Sequence, residues 1–192
     1  MQNFDFKKDL EFSISTLKNG GSILYPTDTV WGIGCDATNE KAVQNIFAVK
    51  KRVESKSMIV LLDDEKKLGD YVRNIPGKFP EIIYQSARPL TVIFDDARNI
   101  ASNLIAMDGS IAIRIVKDKF CKELIRKFGK PIVSTSANIS RENTPKFFKD
   151  ISPAIISSMD YVVKYRQDDE NENFPSQIIR FRKNGEMEII RK

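Results

Sequence analysis

The 192-residue chain contains no histidine. That excludes a Ser-His-Asp triad, a Cys-His pair, imidazole acid–base work and any histidine-ligated zinc. Its two cysteines, Cys35 and Cys121, lie far apart with no C-x-x-C spacing. They read as reduced core thiols rather than a disulfide or a redox pair. No apolar run approaches the roughly 20 residues that span a bilayer. The opening "MQNFDFKKDLEF" is acidic and amphipathic, unlike a signal or transit peptide, so a cytoplasmic protein is expected. Neither a Walker A motif nor a G-x-G-x-x-G is present, and a bound nucleotide would need another cradle. Any chemistry must run on hydroxyls, carboxylates, Lys and Arg, and on a metal brought in by a substrate.

What remains is an ordinary globular composition, 41% hydrophobic and 30% charged, of a size for one domain over 1–192. With 31 Lys and Arg against 26 Asp and Glu, the net charge is +5. That suits anionic partners, phosphate or nucleic acid, and equally a merely soluble surface.

Periodicity and punctuation predict alternating helices and strands. "FKKDLEFSISTLKNGG" reads as an amphipathic helix stopped at Asn19-Gly20-Gly21. "SILYPTDTVWGIG" reads as two extended pieces around Pro26, and "NEKAVQNIFAVKKR" as a helix with Ala42, Val43, Ile46, Phe47 and Val49 inward. Strands are expected at 58–62, 89–94 and 110–116, with helices over "DEKKLGDYVR", capped from Asp63-Asp64, and over "PEIIYQSA". Asp118 caps a further helix that buries Phe120, Cys121, Leu124, Ile125 and Phe128 and stops at Gly129. A strand at 130–140 turns polar, and a helix "SPAIISSM" and a strand "YVVKY" follow. A polar loop at 166–174, expected to be mobile, leads to a hairpin turning at Asn184-Gly185. The expected fold is α/β, with a mixed sheet because of the terminal hairpin.

Several residue sets could carry chemistry. Lys50-Lys51-Arg52 are cations at a helix C-terminus, which is sufficient reason for them. With Lys56, Lys50 and Arg52 would also make a phosphate clamp. Arg114 sits mid-strand in "SIAIRIV", with Ser110 and Ala112 on its face. A buried arginine needs either a structural carboxylate or a ligand anion, and both readings stay open. In "VSTSANIS", alternation puts Ser134, Ser136 and Asn138 on one face as a polar wall. In "LYPTDTVWGIGCD", alternation puts Thr27, Thr29 and Trp31 together, with Asp28 turned the other way toward a helix terminus. Plain β-propensity also accounts for these threonines. Gly32 and Gly34 would admit close approach of another backbone or a ligand.

The ordered set "YPTDTVWGIGCD", "KKR", "MIVLL", "PLTVIF", "SIAIRIV", "KPIVSTSAN" and "FPSQIIR" resembles the YrdC-like family of threonylcarbamoyl-AMP synthases, over roughly Gly20 to Arg180. The resemblance implies a twisted mixed sheet flanked by helices around a concave basic cavity. It implies formation of threonylcarbamoyl-AMP and pyrophosphate from L-threonine, bicarbonate and ATP, with Mg²⁺ held by the ATP phosphates and no protein metal site. Implied partners are tRNA and the proteins that move the threonylcarbamoyl group onto it. Implied roles are Lys50 and Arg52 in catalysis, and Thr29 (with Thr27 a neighbour), Arg114, Ser134 and Ser176 on L-threonine. Arg52, Lys56, Ser110, Ser136, Asn138, Thr144 and Arg191 would then take the nucleotide. "SARPLT" stands where W-P-G usually precedes P-L-T. Arg141 stands where a glycine usually follows S-A-N-x-S, Leu61 where longer relatives carry histidine, and Gln177 where threonine is common. Two other readings compete: an RNA-binding protein without catalysis, and a carbamoyl-adenylate enzyme with another acceptor. The loop at 166–174 would serve as a lid.

Overall fold

The structure is a computed structural model that describes residues 6–51, 58–181 and 187–192. Helix α1 (Lys7–Lys18) leads into strands β1 (Ile23–Tyr25) and β2 (Gly32–Gly34), then helix α2 (Glu40–Val49) and strand β3 (Ile59–Leu62). Next come helices α3 (Leu68–Tyr71) and α4 (Phe79–Gln85), strands β4 (Leu90–Phe94) and β5 (Ile111–Ile115), helix α5 (Lys119–Phe128) and strand β6 (Ile132–Ser136). Helix α6 (Pro153–Ser157) and strands β7 (Tyr161–Val162), β8 (Gln177–Phe181) and β9 (Met187–Arg191) complete the order.

The nine strands form one sheet in the order β7-β1-β2-β6-β3-β5-β4-β8-β9. The pairs β1·β7, β3·β5 and β4·β8 are parallel and the other neighbours antiparallel, so the sheet is mixed as expected. The turn expected at Asn184-Gly185 lies outside the described residues, while the two strands it would join pair antiparallel.

Capping sets the helix ends, at α5 as the sequence proposes. Asn39 accepts from the Lys41 and Ala42 N–H groups at the start of α2, and Asp118 from Cys121 at the start of α5. Gly129 ends α5 at φ 81°. The helix expected from Asp64 is instead a 3₁₀ turn (Glu65–Lys67) followed by the single turn of α3, with Gly69 inside it. Strand β7 stops three residues earlier than expected. The reason is Asp9, whose carboxylate takes the Lys164 and Tyr165 N–H groups at 3.0 and 2.8 Å, and the Tyr161 hydroxyl at 2.6 Å.

The two sheet faces are covered unequally. One carries Val60, Leu62, Val92, Phe94, Ile113, Val133 and Ile179 into a core with Val43, Ile46 and Phe47 of α2. On the other, Tyr25, Leu61 and Ile132 pack under α1 and α5 through Leu10, Leu17, Phe120, Leu124 and Ile125. Directly paired residues share a face, and pairing carries this second face outward along two rows. One row runs Leu61, Arg114, Thr91, Ile178, Arg191, and the next Ser134, Ile59, Ala112, Ile93, Arg180. No helix packs over the β4–β9 end of that face among the described residues, and a concavity results. Cys35 and Cys121 are buried and free. Burial pushes both thiols up, with Asp36 adding to the effect at Cys35 and Asp118 at Cys121.

Strands β2 and β6 meet at Gly34, where a Cβ would stand 2.0 Å from the Val133 carbonyl oxygen. That oxygen also accepts from the buried Tyr25 hydroxyl at 3.1 Å. A backbone carbonyl mid-strand cannot yield by so much. Gly34→Ala is therefore expected to destabilise the fold by about 3 kcal/mol, read as a lower urea midpoint at unchanged m-value.

Candidate active site

The concavity holds a cavity of about 290 Å³, reached by β2, β3, β4, β5, β6, β8 and β9. Its walls differ in chemistry. Ser134, Thr135 and Ser136 of β6 face Thr29, Val30 and Gly32 on one side, with Thr144 nearby. Met58, Ile59, Ala112, Ile93 and Ile178 form an apolar floor. Pro175, Ser176, Ile190 and Arg191 close the far side, and Arg114 enters from β5. No carboxylate lines it among the described residues.

The threonine segment is not the strand that alternation suggests. Pro26–Trp31 is a loop between β1 and β2. Thr27 folds it by accepting from the Thr29 N–H at 2.9 Å and donating to the Val30 carbonyl at 2.8 Å. Such hydroxyl turns compete with strand pairing, which is why the alternation fails here. Trp31 leaves the threonines and packs in the core against Phe148, with ring centroids 4.9 Å apart. The Thr27 and Thr29 hydroxyls are 2.9 Å apart. Thr27 has one proton, which it gives to Val30, so the Thr29 proton goes to Thr27. Thr29 is thereby left with acceptor lone pairs beside the cavity. Thr27 itself does not line it.

The polar wall is held from behind by Lys50. This side chain is 1% exposed, and its Nζ donates to the Ser136 and Asn138 carbonyls at 2.6 and 2.7 Å. The Asn138 amide in turn donates to the Ile139 and Glu142 carbonyls, and its Oδ1 accepts from the Ser136 hydroxyl at 2.5 Å. Asn138 is therefore a brace behind the wall and not part of the lining, and neither it nor Lys50 reaches the cavity surface. Strict alternation through Asn138 fails because β6 ends at Ser136, and Thr135, assigned to the opposite face, also lines the cavity.

Arg114 is 3% exposed and lies 3.3 Å from Asp28, which settles part of its pairing in favour of a structural carboxylate. Asp28 does meet a helix approach, accepting the Lys117 N–H just before α5. Arg191 donates from Nε and Nη2 to the Ser176 carbonyl at 3.0 and 2.8 Å, and the Ser176 hydroxyl bonds Thr91 at 2.8 Å. Burial and the nearby Arg114 charge hold the Arg191 guanidinium below its ordinary value. Two cations thus share one cavity, a natural arrangement for anions. Strand β9 brings both Ile190 and Arg191 to the cavity because a bulge opposite Ile178–Ile179 interrupts its alternation.

Of the predicted site residues, Thr29, Arg114, Ser134, Ser136, Thr144, Ser176 and Arg191 meet at this cavity. Ser110 does not. It precedes β5, and its hydroxyl turns to Asp108 at 2.6 Å. Ser110, with Arg180, holds the Asp108 carboxyl down at about 2. Arg52 and Lys56 lie outside the described residues. Leu61, at the expected histidine position, is buried under α5 and away from the cavity. The apolar floor, Thr91 and the ion-pair partner Asp28 were missed. Thr91 had a signal, as the lone polar residue inside "PLTVIF". The loop after Tyr165 makes ion pairs from Arg166 to Asp118, Glu170 to Lys149 and Glu172 to Lys146, the last two between exposed side chains. No group of three or more metal-ligating side chains occurs among the described residues.

A family model described as telomere recombination, and named for Sua5, YciO and YrdC, matches residues 15–192. The chain is 38% identical over 135 residues to a threonylcarbamoyl-AMP synthase of Pseudoalteromonas translucida, covering 69% of this chain and 72% of that one. It is 31% identical over 158 residues to the threonylcarbamoyl-AMP synthase of Xanthomonas euvesicatoria, covering 81% and 84%. The fold superposes on E. coli YciO with a TM-score of 0.83 at 17% identity, over 97% of this chain and 89% of that one. It superposes on P. abyssi Sua5 complexed with L-threonine with a TM-score of 0.80 at 20% identity, over 91% of this chain and 51% of that one. The chain thus spans about half the length of that Sua5 chain.

The loop that carries Thr144 keeps a glycine's conformation without the glycine. Arg141 sits at φ 77°, in the left-handed region. That conformation costs an L-residue about 1–2 kcal/mol, and glycine's looser unfolded chain takes back part of the difference. Arg141→Gly is expected to stabilise the protein by about 0.5–1 kcal/mol, measured as a higher urea midpoint.

Proposed function

This chain belongs to the Sua5/YciO/YrdC family, and we propose that it is a threonylcarbamoyl-AMP synthase serving tRNA modification. The observation that carries the reading is the cavity itself, which two guanidinium groups and a hydroxyl wall line with no carboxylate among the described residues.

The reaction asks for positioning and charge neutralisation more than for a protein nucleophile. The amine of L-threonine condenses with bicarbonate, losing water, to give a carbamate. A carbamate oxygen then forms a bond to the α-phosphorus of ATP as the bond to pyrophosphate breaks. We assign the substrate carboxylate to Arg114, a fork suited to bidentate contact. Thr29 offers an acceptor for an amine N–H, and Ser134 a hydroxyl beside it. On the nucleotide we assign Ser136 and Thr144 by their hydroxyls and the apolar floor as a bed for the base. Arg191, fixed on Ser176, closes the mouth. Lys50 acts from behind, by fixing the Ser136–Asn138 turn. Arg52 and Lys56 remain assigned to the triphosphate. They belong to the segment that ends at Met58, on the cavity floor. Among the described residues the lining offers hydroxyls and not carboxylates, so Mg²⁺ would ride on the ATP phosphates, where it would neutralise charge on the departing pyrophosphate. The adenylate would pass in the cytoplasm to proteins that transfer the threonylcarbamoyl group to tRNA. No helix among the described residues is long and apolar enough to cross a membrane.

Incubated with ATP and Mg²⁺, the protein is expected to release pyrophosphate only when L-threonine and bicarbonate are both present. Threonine-independent release, or none, would refute the synthase. Release with a different amine would favour another acceptor. Arg52→Ala should cut turnover about 100-fold or more without lowering the melting temperature appreciably, and Arg114→Ala should cut it as far while also lowering the melting temperature, because it leaves Asp28 a buried unpaired charge. Steeply salt-dependent RNA binding, with no stabilisation by ATP and threonine, would favour a non-catalytic RNA-binding protein.

A further inference from the structure

Asp28 has no part in the reaction described above, yet it stands against the most buried cation of the cavity. Its Oδ1 lies 3.3 Å from Arg114 Nη2, while its Oδ2 accepts the Lys117 N–H at 3.1 Å. The carboxylate is held by the chain leaving β5, and the backbone that carries it by the turn that Thr27 makes with the Thr29 N–H. The contact sets charge against charge without saturating either partner. Asp28 Oδ1 and Arg114 Nε are both out of reach of water, and neither has a hydrogen-bond partner. Buried polar atoms are paired almost without exception, so two orphans on one ion pair need a reason. A bidentate clasp by Asp28 would take a full edge of the guanidinium, whereas the single Nη2 contact takes at most one of its N–H donors. An unaccompanied guanidinium would be a buried charge with Arg191 close by to repel it.

We propose that Asp28 is the positioning residue for Arg114, a counter-ion that fixes the guanidinium in the cavity floor while leaving it donors for an incoming carboxylate. The inference rests on the reading of Arg114 as the group that receives the amino-acid carboxylate. Asp28 touches no substrate, and its effect passes through Arg114.

Asp28→Asn keeps an acceptor for the Lys117 N–H and removes the counter-ion. In pyrophosphate release, its KM for L-threonine should rise about tenfold or more, with KM for ATP within about twofold of wild type. Asp28→Glu should recover part of the loss. In an Arg114→Lys background, Asp28→Asn should add less than about twofold, because the two residues act as one unit. A parallel rise in both KM values, or a loss that adds in full on Arg114→Lys, overturns the proposal. A second readout needs no turnover. The Arg114 Nε–H resonance, identified by its absence in Arg114→Lys, should exchange slowly with water in the wild type and quickly in Asp28→Asn. An unchanged resonance also overturns it. Absence of threonine-dependent pyrophosphate release from the wild type would sink only the synthase reading, and the resonance would still decide the role of Asp28.

Discussion

A cation taken out of water must be given something to hold, and two buried cations organise this site. Lys50 is satisfied by carbonyl oxygens at the end of β6, which bends the chain after Ser136 into a turn around the ammonium. Arg114 is satisfied by one carboxylate, and only in part. The difference separates their work. Carbonyls surround Lys50 from the protein side and leave it as a brace. The incomplete pair at Arg114 leaves unmet hydrogen-bonding capacity beside an open cavity. A lysine would suit the first place, since its three donors rotate to meet carbonyls. An arginine suits the second, because its planar fork meets a carboxylate on one edge while another edge is engaged.

The cavity exists because one sheet face is too wide for its two helices. Helices α1 and α5 cover Tyr25, Leu61 and Ile132, and among the described residues no helix covers the same face where it continues across β4, β8 and β9. An apolar strip of Ile59, Ala112 and Ile93 would be a liability on an ordinary surface. In a cavity it is a floor on which a flat ligand can rest between hydroxyl and guanidinium walls. The bulge in β9 completes the enclosure, since plain alternation would send either Ile190 or Arg191 to the other face.

How far this was legible from sequence varied with the range of the interaction involved. The strands at Ile59–Leu62, Leu90–Phe94 and Ile111–Ile115 could be read because they are short apolar runs between clear breakers. The cap Asp118 and the stop at Gly129 could be read because capping is decided within four residues. Arg114 announced itself as a charge inside an apolar strand. Its partner did not, because Asp28 is 86 positions away and one of 26 acidic residues. The Thr27 turn was hidden for a different reason. A hydroxyl that bonds its own backbone leaves the same T-x-T spacing as a strand, and only the chain's path tells them apart. The bulge at Ile190 and the early stop of β7 at Asp9 likewise depend on partners far along the chain.

The proton order in the Thr27–Thr29 pair links the fold to the chemistry most directly. If Thr27 were free to rotate, Thr29 could present either a donor or an acceptor to the cavity. With the Thr27 proton committed to the Val30 carbonyl, the direction is fixed, and Thr29 accepts. On the proposed assignment, an acceptor in the same cavity as Arg114 would suit a zwitterionic amino acid, with amine N–H toward Thr29 and carboxylate toward the guanidinium. Once the ammonium has given up a proton to solvent, the same acceptor can hold the neutral amine through one N–H while its lone pair is free to attack carbon. A donor at that position would instead compete for that lone pair and block carbamate formation. The turn that breaks the strand therefore sets the polarity of the site, and the residue that enforces it, Thr27, never touches the cavity.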